Sequence, residues 1–233
     1  QTDVVTKPDG STVTTTTTTD KTTGVESKTE VIKDKDGNTT ASAEVSAPAK
    51  TTTSGTTTTA EVPKDAADKL VEQAKAAEKA ATDAGAKTVD TTVTVESSAP
   101  STATKVETTL PADAVKKLAT ETSADLKVTT PAGDVTLDNK ALASVAGKAA
   151  DGAVKLTVEK VPQDALPEAI KDKVDEKTLV LDLTVETAAG KVSSFGGGTA
   201  TVSVELPAGL GDDAKVMFIN DKGEAEEVQG KVV

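Results

Sequence analysis

Val62-Pro63-Lys64-Asp65-Ala66-Ala67-Asp68-Lys69-Leu70 returns 48 residues later as Leu110-Pro111-Ala112-Asp113-Ala114-Val115-Lys116-Lys117-Leu118, and a fragment follows at Val161-Pro162-Gln163-Asp164-Ala165-Leu166. Each phrase ends an alternating run that reads as a strand: Thr56 to Val62, Lys105 to Leu110 and Val154 to Val161. The chain therefore reads as one strand, proline, helix unit used repeatedly. Proline is tolerated in the first helical turn, and the Asp two residues on lies near the positive end of the helix dipole. Asp65 and Asp113 are thus read as helix-stabilising groups and not as parts of a site.

The first of these helices is expected from Pro63 to about Ala84, with Gly85 as its stop. Its apolar positions, Ala67, Leu70, Val71, Ala74, Ala77 and Ala81, fall at three- and four-residue spacing, so one narrow face packs while the charged face stays wet. A strand follows at Thr88 to Glu96, and a second, shorter helix at Ala112 to Thr120. Asp125 to Asp138 reads as a hairpin about Pro131-Ala132-Gly133-Asp134. Asp138 or Asn139 then caps a helix that carries Ala141, Leu142, Val145 and Ala146 up to Gly147.

Outward from this centre the patterns change. Residues 1 to 47 are rich in Thr, Val, Lys and Asp, with turn signals at Pro8-Asp9-Gly10-Ser11, Thr22-Thr23-Gly24 and Lys35-Asp36-Gly37-Asn38, and read as a thin β-meander. Runs such as Thr14 to Thr19 favour extended backbone but offer little apolar area. Such strands are expected to be solvated on both faces, with a weakly fixed register. Residues 48–57 collapse to Ser, Thr, Ala, Gly and Pro and are expected to be a linker. After it come a strand and helix region over 58–161 and an antiparallel β module over 162–233, whose last strand is expected to be missing. Within that module the face Leu179, Leu181, Leu183 and Val185 is the best candidate for burial, and strands are expected at Lys191 to Phe195, Thr199 to Leu206, Lys215 to Ile219 and Ala225 to Val228. The fold class expected is α+β and β-rich: a Thr-rich meander, strand-proline-helix repeats and a C-terminal antiparallel sheet or sandwich.

Composition narrows function. The 233 residues include no Cys, His, Trp or Tyr, two Phe (Phe195 and Phe218) and one Met (Met217), and every cation is Lys. Ser-His-Asp and Cys-His catalysis, thiol redox chemistry and the usual zinc ligand sets are excluded. A net charge of −12 without Arg or stacking aromatics argues against nucleic acid. No run approaches the roughly 20 apolar residues that cross a membrane as a helix. The chain opens at Gln1 with no basic and apolar leader, as expected of a processed chain or a fragment.

Three short motifs resemble sites without meeting their requirements. Asp34-Lys35-Asp36-Gly37-Asn38 begins like a calcium loop, but Gly falls at the fourth position and Val45 occupies the twelfth, where a bidentate Glu is needed; it reads as a hairpin turn. Gly196-Gly197-Gly198 lacks the Lys-Ser or Lys-Thr and the following helix of a phosphate loop, and reads as a flexible strand connection. Asn38-Thr39-Thr40 matches a glycosylation acceptor and reads as an unmodified strand. A glycosidase-like carboxylate pair would need sugar-stacking aromatics that the chain scarcely has. No catalytic, cofactor-binding or metal-binding residue is assigned, and no cofactor is expected.

Gly133-Asp134-Val135-Thr136-Leu137-Asp138-Asn139-Lys140-Ala141-Leu142, Ser194-Phe195-Gly196-Gly197-Gly198-Thr199-Ala200-Thr201-Val202-Ser203-Val204 and Lys215-Val216-Met217-Phe218-Ile219-Asn220-Asp221-Lys222-Gly223 form a set with the Asp9-Gly10-Ser11-Thr12 and Asp36-Gly37-Asn38-Thr39 turns. The set resembles the repetitive ectodomains of cell-surface proteins from anaerobic, clostridial-type Gram-positive bacteria, which commonly carry S-layer homology domains. No such domain is present in this sequence. The resemblance implies an extracellular location at the cell surface or wall and a non-catalytic structural role. It implies cell-surface or cell-wall partners, without nucleic acid and without membrane insertion. An adhesin-like module for glycan or protein is the alternative. A second is a subunit that self-associates by adding strands edge to edge at the unfinished end near Val233.

Overall fold

The computed structural model describes residues 1–171, 174–175, 178–205, 215–219 and 224–230. Strands dominate, in two large sheets with three substantial helices, which makes the fold β-rich α+β. Strands β1 (Thr2–Thr6), β2 (Thr12–Thr19), β3 (Glu26–Lys33) and β4 (Thr39–Pro48) form an antiparallel meander. One residue later the chain enters a second sheet through the hairpin β5 (Lys50–Ser54) and β6 (Thr57–Glu61), turning at Gly55 with φ 61. Helix α1 (Lys64–Asp83) leads to β7 (Val89–Glu96), which pairs parallel to β4. Strand β8 (Lys105–Pro111) pairs parallel to β6, and α2 (Ala112–Glu121) leads to β9 (Asp125–Thr129), parallel to β7.

The remaining chain completes both sheets. β10 (Asp134–Leu137) turns back on β9, α3 (Asn139–Lys148) follows, and β11 (Ala153–Lys160) pairs antiparallel to β8. β12 (Leu181–Thr187) and β13 (Gly190–Lys191) extend the second sheet, and β14 (Ala200–Ser203) extends the first beside β10. The first sheet has eight strands, ordered β1-β2-β3-β4-β7-β9-β10-β14; the second has six, ordered β13-β12-β11-β8-β6-β5. A separate antiparallel pair, β15 (Val216–Ile219) and β16 (Ala225–Val228), stands apart from both.

The register of the parallel pairs carries a regularity. Thr57 lies beside Lys105, and Ala41 beside Val89, so both pairs are offset by the 48 residues that separate Pro63 from Pro111. Each proline ends a strand of the six-stranded sheet and opens a helix that returns to the eight-stranded one. The third fragment behaves differently. Its strand, β11, runs antiparallel to β8, and Pro162 opens only a single 3-10 turn (Gln163–Ala165) and the short helix Glu168–Lys171.

Residues 48–57 are not a linker: β5 occupies half of them, Pro48 ends β4 and Thr57 begins β6, and the pairing of β4 with β7 joins the Thr-rich strands to the rest in one sheet. A composition of Thr, Ser and Gly is flexible when unpaired, but β-branched Thr takes up a ladder readily once a partner strand exists. The face Leu179, Leu181, Leu183, Val185 is also less buried than expected, with only Val185 fully covered. Beyond it, Lys191 to Phe195 contributes one residue of strand, Lys191, and the described part of Thr199 to Leu206 contributes four. The turns at Pro207-Ala208-Gly209 and Asn220-Asp221-Lys222-Gly223 and the terminal Lys231-Val232-Val233 lie outside the described residues.

One hydrophobic cluster runs through both sheets and all three helices, including Val45, Val93, Leu70, Val106, Leu110, Val115, Leu118, Leu137 and Leu142. Helix α1 packs on β7, β4 and β3, which is why it is twice as long as α2. At 1.5 Å per residue, its 20 residues span about 30 Å against about 15 Å for α2. It stops in a Schellman motif: the amide of Ala86 donates to the Ala81 carbonyl at 3.1 Å and that of Gly85, at φ 105, to Thr82 at 2.9 Å. Helix α2 stops where Thr122 turns extended, and α2 and α3 then lie side by side.

Candidate binding groove

Aspartates hold the three turns of the meander. In the β1–β2 turn, Asp9 accepts from the Ser11 amide at 2.9 Å and the Ser11 hydroxyl at 2.6 Å. In the next, Asp20 accepts from the amides of Thr22 and Thr23 and the Thr23 hydroxyl, at 3.0, 2.9 and 3.0 Å. In the third, Asp34 accepts from the Asp36 and Asn38 amides and the Asn38 side chain, at 2.9, 2.8 and 2.7 Å. The carboxylate that heads the calcium-like sequence is thus engaged by its own turn, and Gly37 supplies the φ of 86 the turn needs. These bonds hold all three carboxyls below the ordinary Asp range, chiefly through Ser11 for Asp9, Thr23 for Asp20 and Asn38 for Asp34.

The glycine run is a packing device and not a flexible connection. A Cβ on Gly198 would lie 2.1 Å from the Ala141 amide nitrogen at the start of α3, and Gly196 and Gly197 have φ of 63 and 79. Asp138 caps α3 by accepting from Ala141 at 2.7 Å, and its other oxygen accepts from Thr199 at 2.8 Å, tying the segment down. Burial pushes the Asp138 carboxyl up, but the bonds from Ala141 and Thr199 outweigh it and leave it below the usual range. Its neighbour Asp125 goes the other way: burial raises it, against the bond donated by Asn139 at 2.8 Å, with Asp138 and Asp90 adding repulsion. Asp65 and Asp113 both sit in first helical turns, as expected; Lys64 pairs with Asp68 within α1 at 2.6 Å, and Lys117 of α2 lies 3.8 Å from the same carboxylate, linking the two helices.

A groove of about 520 Å³ lies between α1 and strands β2 and β3. Thr14, Thr16 and Thr18 of β2 face it with Ser27, Thr29 and Val31 of β3, because alternate residues share a sheet face. Its wall is the second half of α1, where Ala76, Ala77, Ala80 and Ala84 keep the helix surface low. Lys69 closes one end, 3.0 Å from Glu72 and 3.7 Å from Asp20. The bond to Glu72 chiefly raises the Lys69 pKa, so the amine is a cation and neither a base nor a nucleophile. The Thr and Ser hydroxyls of this lining offer hydrogen bonds, and the Thr methyl groups offer apolar contacts.

Gln73 is the residue that sequence reading passed over. It lines the groove at 6% exposure, and its Oε1 has no hydrogen-bond partner among the described residues. The signal was there: a Gln three residues after Leu70 and four before Ala77 stands on the apolar stripe of α1. Among the described residues no three acidic side chains converge as a metal set would, and no helix is long and apolar enough to cross a membrane. Comparison with family models, with curated proteins and with solved structures found no match.

Proposed function

We propose that the chain is a non-catalytic structural segment of a bacterial cell-surface protein, displayed outside the cell among other surface or wall components. The observation that carries this reading is the shared 48-residue offset of β4 against β7 and of β6 against β8. We infer from it a duplicated unit that starts at Ala41, takes in the β5–β6 hairpin and ends beyond α1, and is stacked on a second copy that starts at Val89. Stacking like on like gives length and rigidity without building a cleft between units. The uses made of polar groups agree with it: the carboxylates of Asp9, Asp20, Asp34 and Asp138 are consumed in turns and a cap.

The test is a broad panel of hydrolase substrates with the intact chain. No turnover above buffer is expected; turnover abolished by one carboxylate substitution contradicts the proposal. A second reading, an adhesin-like module for glycan or protein, is favoured by the groove beside α1. Its lining has no aromatic ring and no Arg, the usual anchors of a binding surface. Saturable, salt-resistant binding on a glycan or matrix-protein array that is lost on Ala77→Phe, which fills the groove, would select this reading over the scaffold.

A further inference from the structure

The edge of the eight-stranded sheet at β1 is unprotected and self-complementary. The terminal ammonium of Gln1 donates to the Thr17 carbonyl and the Gln1 carbonyl accepts from the Thr17 amide, both at 2.8 Å, and the Lys7 amide donates to the Ser11 carbonyl at 2.8 Å. With Asp3 opposite Thr15 and Val5 opposite Val13, the odd positions of β1 therefore face β2. The backbone groups of Thr2, Val4 and Thr6 point the other way, to an edge that no described strand pairs with. The side chains are exposed on both faces: Val4 is 64% exposed on the groove side and Val5 58% on the other. Edge strands are ordinarily guarded by Lys, Pro or a bulge, and Thr2–Thr6 has none of these. The edges of the six-stranded sheet differ: β5 carries Lys50 and otherwise only hydroxyl side chains, and β13 is two residues long.

We propose that β1 pairs with β1 of a second copy of this chain, antiparallel about Val4, joining two eight-stranded sheets into one. A register centred on Val4 pairs all three edge-facing residues: Thr2 with Thr6 of the second copy, Val4 with Val4, Thr6 with Thr2, each pair exchanging both backbone bonds; a register centred on Asp3 or on Val5 leaves only two such pairs, and the first of these sets two Asp3 carboxylates opposite each other. The Val4 register sets Asp3 opposite Val5 of the second copy, so the two Asp3 carboxylates do not meet, and it brings the two exposed Val4 side chains into contact. The contact is short, well below the roughly 1,000 Å² of a stable interface, so the dimer is weak and transient in free solution. Each copy carries a charge of −12, so association strengthens as salt screens the repulsion. This pairing stands whether or not the chain is displayed at a cell surface.

The chain has no Cys, which makes single-cysteine variants clean probes. At this register Val4→Cys brings two Cα atoms to about 5.5 Å, within disulfide range, whereas Val5→Cys faces Asp3 and lies out of reach of its own copy. Under mild oxidation Val4→Cys is expected to give disulfide dimer at least about tenfold faster than Val5→Cys, and faster still in high salt. Sedimentation equilibrium from low micromolar to about 1 mM should show a concentration-dependent dimer. Val4→Pro, which removes an edge-facing amide that β2 does not use, is expected to abolish it with the circular dichroism unchanged; should that variant fold poorly, Val4→Lys serves instead. Equal cross-linking at positions 4 and 5, a monomer throughout, or a dimer lost on Phe218→Ser and kept in Val4→Lys would overturn the proposal.

Discussion

The two ends of the eight-stranded sheet share one backbone plan and differ in what covers them. At the β9–β10 end the inner face is Leu126, Val128, Val135 and Leu137, all buried under α3 and its neighbour α2. At the β1–β2 end the same face is Thr2, Val4 and Thr6 beside Thr12, Thr14 and Thr16, and β1 is exposed throughout. Between them, Val45 and Val93 are fully buried, while Ser27 and Thr29 of β3 are covered only because α1 runs on past β4. Strand order and register are therefore continuous while the hydrophobic contribution fades. The Thr-rich flank is held by backbone ladders, aspartate turns and the second half of one helix.

Substitutions can break that contrast from either side. Ala81 is fully buried in the second half of α1, so Ala81→Asp puts an unpaired charge where the helix meets the sheet. A loss of several kcal/mol in denaturant unfolding is expected, with the flank released first. Leu70→Ala, in the shared core, is expected to cost about 2–5 kcal/mol, whereas Thr16→Ala on the flank should stay within about 0.5 kcal/mol. Thr91 and Thr108 bury hydroxyls that have no hydrogen-bond partner among the described residues, so Thr91→Val and Thr108→Val are each expected to raise stability by about 1–2 kcal/mol.

Acid sharpens the contrast further. Asp9, Asp20 and Asp34 have folded pKa values below the unfolded one, so their contribution is full above the unfolded value, near ~3.9, and is lost as pH falls through the folded values. Amides of β1 to β3 should lose exchange protection below about pH 4 before those of β7 and β9 do. Asp125 has the opposite sign: its folded pKa is raised, so its charge works against the fold at neutral pH and protonation relieves it. The smallest effect expected is from Asp125→Asn, which should leave stability at pH 7 unchanged or slightly higher, because the amide oxygen still accepts from Asn139.

Much of this architecture was legible before any coordinates. Pro63 and Gly85 placed α1 to within a residue at each end, and Asp138 was one of two residues, with Asn139, readable as the cap of α3. Local signals succeed where local physics decides: proline at a helix start, glycine after its end, a carboxylate over free amides. Strand β6 was read at Thr56 to Val62, but its partner β5 was not legible, because Lys50-Thr51-Thr52-Thr53-Ser54 has no apolar alternation and becomes a strand only through its partners. The groove was missed for a related reason, since Thr14 and Thr16 face α1 only once the sheet register is known. The glycine run was misread because the close approach of Gly198 to α3 is a contact between residues far apart in sequence.

The continuity of that sheet is tested most directly by native-state hydrogen exchange, residue by residue, on dilute protein at neutral pH. A single sheet whose cover fades predicts protection that declines stepwise from β9 and β7 through β4 and β3 to β2 and β1, with β4 sharing the slow opening of β7. If β1 to β4 instead exchange together as one block, with a sharp step between β4 and β7, the meander is an independent unit and this account is wrong.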